Sequence, residues 1–140
     1  MFIPKYFRVT DFEEIREFIQ RNSFGTIITI ENGKPIATHL PMDLYKQGDD
    51  YYIVGHMAYA NPQWKTFNIE HDTTLVMFQG PHAYISSSWY NHENVSTWNY
   101  QSVHVYGIAS VMSEQELEEH LISLLKKYEE HRENPVLWEN

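Results

Sequence analysis

Apolar residues recur along the chain first with a helical period and then with a strand period. Phe12, Ile15, Phe18 and Ile19 share one face of a helix predicted from about Asp11 to Arg21, and Thr10 with Glu13 has the T-x-x-E spacing of a capping box. Gly25 interrupts that pattern, and the β-branched run Thr26 to Ile30 predicts a buried strand. Asn32-Gly33 then predicts a hairpin, because a type I′ turn needs positive φ at both central positions. The returning strand is expected over about Pro35 to Tyr45. Pro41 inside it cannot donate to a ladder, so that point marks an edge, a bulge or a kink.

The polar turn Gln47 to Asp50 leads into a third strand over Tyr51 to Gly55. Asn61-Pro62 pairs a favoured N-cap with proline at the first helical position, which predicts a short helix from Pro62 to about Ile69. Thr74 to Gln79 and Ala83 to Ser86 read as fourth and fifth strands joined by Gly80-Pro81, and residues 91 to 97 as a polar loop. Val103, Val105 and Gly107 alternate with His104, Tyr106 and Ile108 in a sixth strand ending near Val111. A second capping box, Ser113 with Glu116, opens a last helix on which Leu117, Leu121, Leu124 and Tyr128 share a face. This order predicts one mainly β domain, an antiparallel barrel or sheet with peripheral helices.

Composition narrows the chemistry. A chain of 140 residues can bury a core without a staple, and it has no cysteine, which removes disulfides, thiolate metal sites and cysteine nucleophiles together. That fits a reducing cytoplasm, as does the lack of an apolar leader or of a membrane-length apolar run. The net charge is −9, and residues 113 to 140 hold eight glutamates against Lys126, Lys127 and Arg132. Phosphate neutralisation by Lys and Arg drives nucleic-acid binding, so direct DNA binding is disfavoured.

Between Lys46 and Lys126 the only Lys or Arg is Lys65, one turn from Asn61-Pro62. A helix N-terminus beside an ammonium suits a phosphate; the same residues read equally as a plain cap and a solvated lysine. The eight histidines do not form a metal motif, since His92-Glu93 lacks the second histidine of H-E-x-x-H. His39, His56, His82 and His104 fit structural hydrogen-bonding roles, while His120 and His131 read as solvated. Ser86 to Ser88 lack a nucleophile elbow. Aromatic residues make up 15% of the chain, and Trp64, Trp89, Tyr90, Trp98 and Tyr100 adjoin Gln, Ser, Asn or Thr. Rings for the faces and amides or hydroxyls for the edge are what a planar heterocycle needs.

Four segments carry a family resemblance: ATHLP (37 to 41), GHMAYANPQW (55 to 64), FQGPHAYISSSWY (78 to 90) and TWNYQSVHVYG (97 to 107). In this order they resemble the PaiB-type family, described as FMN-binding negative transcriptional regulators. The resemblance implies a split β-barrel like that of pyridoxamine-phosphate oxidases and flavin reductases, a homodimer, and FMN at the subunit interface. It implies Thr38 and His39 beside the isoalloxazine, and His56, Asn61, Gln63 and Lys65 around the phosphate. Gln79 and the serines, Ser87 among them, would reach the ring or ribityl chain, with Trp98 and Asn99 supplied by the other subunit. Regulation is expected to be indirect; the alternative is a flavin-dependent oxidoreductase or flavin reductase acting on a small molecule. Family members continue with a further helical and strand segment, so the resemblance also implies a single domain over 1 to 140 without that extension.

Overall fold

In the computed structural model, which describes residues 1–67 and 73–133, the hydrophobic periods become two helices and one five-stranded antiparallel sheet. Helix α1 (Phe12–Arg21) precedes β1 (Phe24–Glu31), β2 (Lys34–Gln47) and β3 (Asp50–Gly55). A 3-10 turn at Pro62–Thr66 leads to β4 (Thr74–Ile85), a second at Ser87–Trp89 to β5 (Thr97–Gly107), and α2 (Glu114–Glu129) follows. The strand order is β3-β2-β1-β4-β5.

The hairpin forms at Asn32-Gly33, with φ of 50° and 77° as a type I′ turn requires. Pro41 stands where β2 changes partner: Phe24↔Pro41 is an end pair with β1, and Met42↔Gly55 opens the pairing with β3. The long strand therefore bends out of one pairing and into the next at the residue that has no N–H to give.

Two expected boundaries are corrected. Gly80-Pro81 does not separate two strands; β4 runs through it with a bulge, since Gln79↔Ser102 and His82↔Tyr100 place three steps on β4 against two on β5. Proline is tolerated in a bulge because the extra residue is left unpaired, which makes this dipeptide look like a turn in the sequence. Gly80 is needed there for space: a Cβ would stand 2.6 Å from the Phe18 ring. Strand β5 starts at Thr97, inside and beyond the expected loop, and ends at Gly107 rather than Val111. The helix expected from Pro62 to about Ile69 is a 3-10 turn ending at Thr66, and residues 68 and 69 lie outside the described residues.

The core sits between one face of the sheet and α1. Phe78 and Ile19 are fully buried, with Ile27, Leu40, Met42 and Val76 beside them and Ile15 and Phe18 packed on top. Helix α1 begins one residue later than its expected cap. Asp11 is the N-cap, Glu13 falls at the second helical position, and the Thr10–Glu13 box does not form. Glu13 and Glu14 still complement the helix dipole from the first turn. The Ser113–Glu116 box forms as expected, with both hydrogen bonds at 3.2 Å.

Helix α2 docks differently from its leucine pattern. Leu117 is 38% exposed and the buried position of the helix is His120, which the sequence had suggested was solvated. Lys127 Nζ reaches Asp43 of β2 at 2.7 Å, and Tyr128 Oη pairs with Ser23 Oγ at 2.5 Å. Burial and the neighbouring His56 hold the His120 pKa below its ordinary value, against the pull of Asp43. Burial opposes the Lys127 charge, but the hydrogen bond and charge of Asp43 prevail and raise its pKa.

Linkage then fixes two signs. A histidine with a depressed folded pKa stabilises above its unfolded pKa, and that stability is lost as pH falls below about 6.5. A lysine with a raised folded pKa stabilises below its unfolded pKa, and that stability is lost as pH rises past about 10.4. Urea midpoints should therefore peak between about pH 7 and 10 and fall on both sides. A midpoint unchanged between about pH 5 and 8 would contradict the burial of neutral His120.

Candidate functional site

The two faces of the sheet do different work. On the inner face the 3-10 turn at Pro62–Thr66 is pinned to β1 and β2 by polar side chains. Asn61 Oδ1 accepts from Gln63 N at 3.0 Å, and Asn61 Nδ2 donates to Thr38 Oγ1 at 2.9 Å. Gln63 is 2% exposed; its Oε1 accepts from Thr38 Oγ1 in a short hydrogen bond. Its Nε2 lies 3.2 Å from Ile27 O, 3.1 Å from Thr29 Oγ1 and 3.1 Å from Ile36 O. Thr66 Oγ1 adds a bond to Thr29 Oγ1 at 2.7 Å.

This geometry gives the residues of the expected phosphate site different surroundings. The Gln63 side chain bonds inside the fold, and Asn61 accepts from the Gln63 N–H, one of those that a helix N-terminus would have offered. A single 3-10 turn also has little dipole to contribute. Lys65 is exposed, with Nζ 5.8 Å from the centroid of the Trp64 ring. The buried Nδ1 of His56 lies beneath α2, where its ring meets that of His120.

The outer face carries the other expected residues. Strand pairing sets one row across four strands: His39↔Thr26, Thr26↔Met77 and Met77↔His104. Side chains directly opposite in a ladder share a face, so His39 and His104 stand on the same surface, three strand spacings or roughly 14 Å apart. His39 Nδ1 pairs with Thr26 Oγ1 at 2.8 Å, and its ring stacks with Phe24 at 6.2 Å.

Beyond that row lies a groove of about 660 Å³ lined by Gln79, His82, Trp98, Tyr100, Ser102 and His104, with Met1 and Phe2 at its border. Its size lies within the 300 to 1,000 Å³ typical of small-molecule sites, by order of magnitude roughly that of a cofactor pocket. Trp98 is 54% exposed yet held in orientation: its Nε1–H donates to His82 Nδ1 at 3.0 Å, and Tyr84 packs at 6.1 Å between ring centroids. That bond leaves Nε2 of a neutral His82 as the protonated nitrogen. Burial and the charge of the chain's amino group lower the His104 pKa, which favours the neutral imidazole. The described residues lining the groove include no Lys or Arg.

Of the expected site residues, Gln79 and Trp98 line this groove, His39 shares its sheet face, and Asn99 sits on β5 opposite Ala83. Ser87 lies after β4, tied to Ser96 by bonds of 2.8 and 3.1 Å. Thr38, Asn61 and Gln63 form the inner network. The reading of residues missed His82, Tyr100, Ser102 and His104 as one surface. The alternation Trp98, Tyr100, Ser102, His104 was the available signal, hidden by starting the strand at Val103.

The groove presents what a flavin ring asks of a protein: indole and phenol faces, an amide, a hydroxyl and an imidazole. Comparison with known proteins bears on the family and the cofactor. The family model described as "Putative FMN-binding domain" matches residues 1–140. The chain is 65% identical over 139 residues to the protease synthase and sporulation protein PAI 2 of Bacillus subtilis, spanning 99% of this chain and 67% of that protein. An uncharacterized protein of Saccharomyces cerevisiae is 26% identical over 103 residues, 69% of this chain and 59% of the relative.

Two solved structures share the fold at a TM-score of 0.67. They are the FAD and heme binding protein from Mycobacterium smegmatis, at 18% identity, and the flavocytochrome Anf3 from Azotobacter vinelandii, at 22%. The matches cover 89% and 96% of this chain, and 57% and 61% of those chains. The split-barrel expectation stands, and this chain spans about two thirds or less of each of these relatives. The chain belongs to the PaiB-type family of FMN-binding domains, and FMN is the cofactor that membership assigns to it.

Proposed function

We propose that FMN lies on the outer sheet face, its ring system against Trp98 and Tyr100 and its polar edge toward Gln79, Ser102 and His104. The groove across β4 and β5 carries this reading, because it gathers rings and polar edges on one surface with an oriented indole. His39 extends the same face across β1 and β2. The described lining of the groove includes no Lys or Arg, its positive charge being the amino group of Met1, and the phosphate is assigned to Lys65, whose turn on the inner face, fixed by Thr38, Asn61 and Gln63, would serve the flavin of a second copy.

A second copy of the chain would cover this face. Trp98, Tyr100 and Tyr106 are 54, 57 and 62% exposed along one strand, more aromatic surface than a monomer usually leaves in a row. A homodimer with flavin between its subunits accounts for them. When bound, FMN supplies redox chemistry; the protein's residues bind it, orient it and keep water from its face. Regulation through the flavin's state or through a protein partner is the role that fits the acidic chain, in place of direct contact with DNA.

Purified protein should carry flavin absorbance or take up added FMN. Lys65→Ala should weaken FMN about fivefold, the size of an exposed charge contact of about 1 kcal/mol. Unchanged affinity in a fluorescence titration would remove Lys65 from the phosphate site.

A further inference from the structure

The space between α2 and strands β2 and β3 has its own chemistry and shares no lining residue with the groove on the outer face. It is a cavity of about 1000 Å³ with an apolar floor that includes Leu40, Met42, Met57 and Phe67. At its polar end the His56 and His120 rings meet with centroids 5.7 Å apart and planes at 59°. His120 is 5% exposed, and neither of its ring nitrogens has a hydrogen-bond partner; His56 Nδ1 is buried in the same condition.

A neutral imidazole offers one N–H donor and one bare acceptor nitrogen, and burying either unpaired is costly. Nearly all buried polar groups in native proteins have a partner, so a pair of rings in this state calls for one. The charged groups around the cavity restrict what it can be. Glu116 and Glu119 of α2 line the wall, and Asp43 of β2, close enough to act on His120, is held by Lys127 at 2.7 Å. An organic anion would meet the carboxylates of α2. Among the described residues no three His, Asp or Glu side chains are placed to hold a metal ion. What remains is a neutral molecule with an apolar planar body and one group that both donates and accepts.

We propose that the cavity beneath α2 binds a small neutral aromatic alcohol, its hydroxyl paired with His56 and His120 and its ring against Met42, Met57 and Phe67. The hydroxyl donates to the bare nitrogen of one imidazole and accepts from the N–H of the other. The cavity shares no lining residue with the flavin groove and meets the proposed phosphate anchor only at Trp64, beside Lys65, so the alcohol and FMN are expected to bind together.

Calorimetric titration of the full chain at neutral pH, with and without saturating FMN, tests this with 2-naphthol against naphthalene as probes. Expected are one 2-naphthol per chain in both forms and an affinity about tenfold above that of naphthalene. His120→Leu should fold, since it replaces an unpaired buried ring with a hydrocarbon of similar volume, and should bring the two probes to within about threefold. His56→Leu carries the same expectation should the first variant fail to fold. The proposal is overturned by failure of 2-naphthol to bind, by equal affinity for both probes, by competition with FMN, or by a preference that survives in the folded variant.

Discussion

Replacing Gln63 with alanine is expected to lower the free energy of unfolding by about 3 kcal/mol, although the residue is polar and follows an Asn-Pro dipeptide that reads as surface. The side chain is 2% exposed and joins three parts of the fold: Thr38 through Oε1, and Ile27 O, Thr29 Oγ1 and Ile36 O through Nε2. An amide nitrogen has two hydrogens, so the three acceptors share them and no single contact has the full strength of its distance. Removing the group leaves Thr38 Oγ1 with Asn61 alone and opens a void behind β1 and β2. The void and the stranded polar atoms act together, whereas surface substitutions stay within about 0.5 kcal/mol. Urea unfolding separates the two, and a loss below about 0.5 kcal/mol would mean that the turn does not depend on Gln63.

Trp98→Ala should weaken FMN by about 5- to 150-fold, the range that loss of one aromatic stacking partner of a heterocycle implies at about 1 to 3 kcal/mol. Because Trp98 is half exposed, its removal should leave stability nearly unchanged, and a fluorescence titration would show lost affinity in a folded protein. His82→Ala should produce a smaller loss, since the ring remains but its Nε1–H loses the partner at 3.0 Å. Equal FMN affinity in wild type and Trp98→Ala would place the ring system elsewhere.

Local chemistry made much of this fold legible. Asn32-Gly33 and Ser113 with Glu116 each specify geometry through their own backbone needs, and both form as their sequence demands. The four aromatic and polar segments likewise led to the right family and cofactor. Where tertiary packing decides, residue type was a poor guide. Gly80-Pro81 is the composition of a turn, but pairing on both sides and the close Phe18 ring turn it into a bulge. His120 stands among glutamates on its helix, and only its position over His56 buries it. Gln63 entered the expected phosphate group through the family resemblance, and nothing in its residue type told that its amide bonds to the protein's own strands.

The central claim is that FMN occupies the outer face of β4 and β5. Hydrogen exchange followed by mass spectrometry, with and without FMN, tests it most directly. Peptides covering residues 77 to 82 and 98 to 104 should gain protection on binding, while α2 exchanges as before. Protection confined to α2 and the cavity beneath it, with β4 and β5 unchanged, would contradict the account.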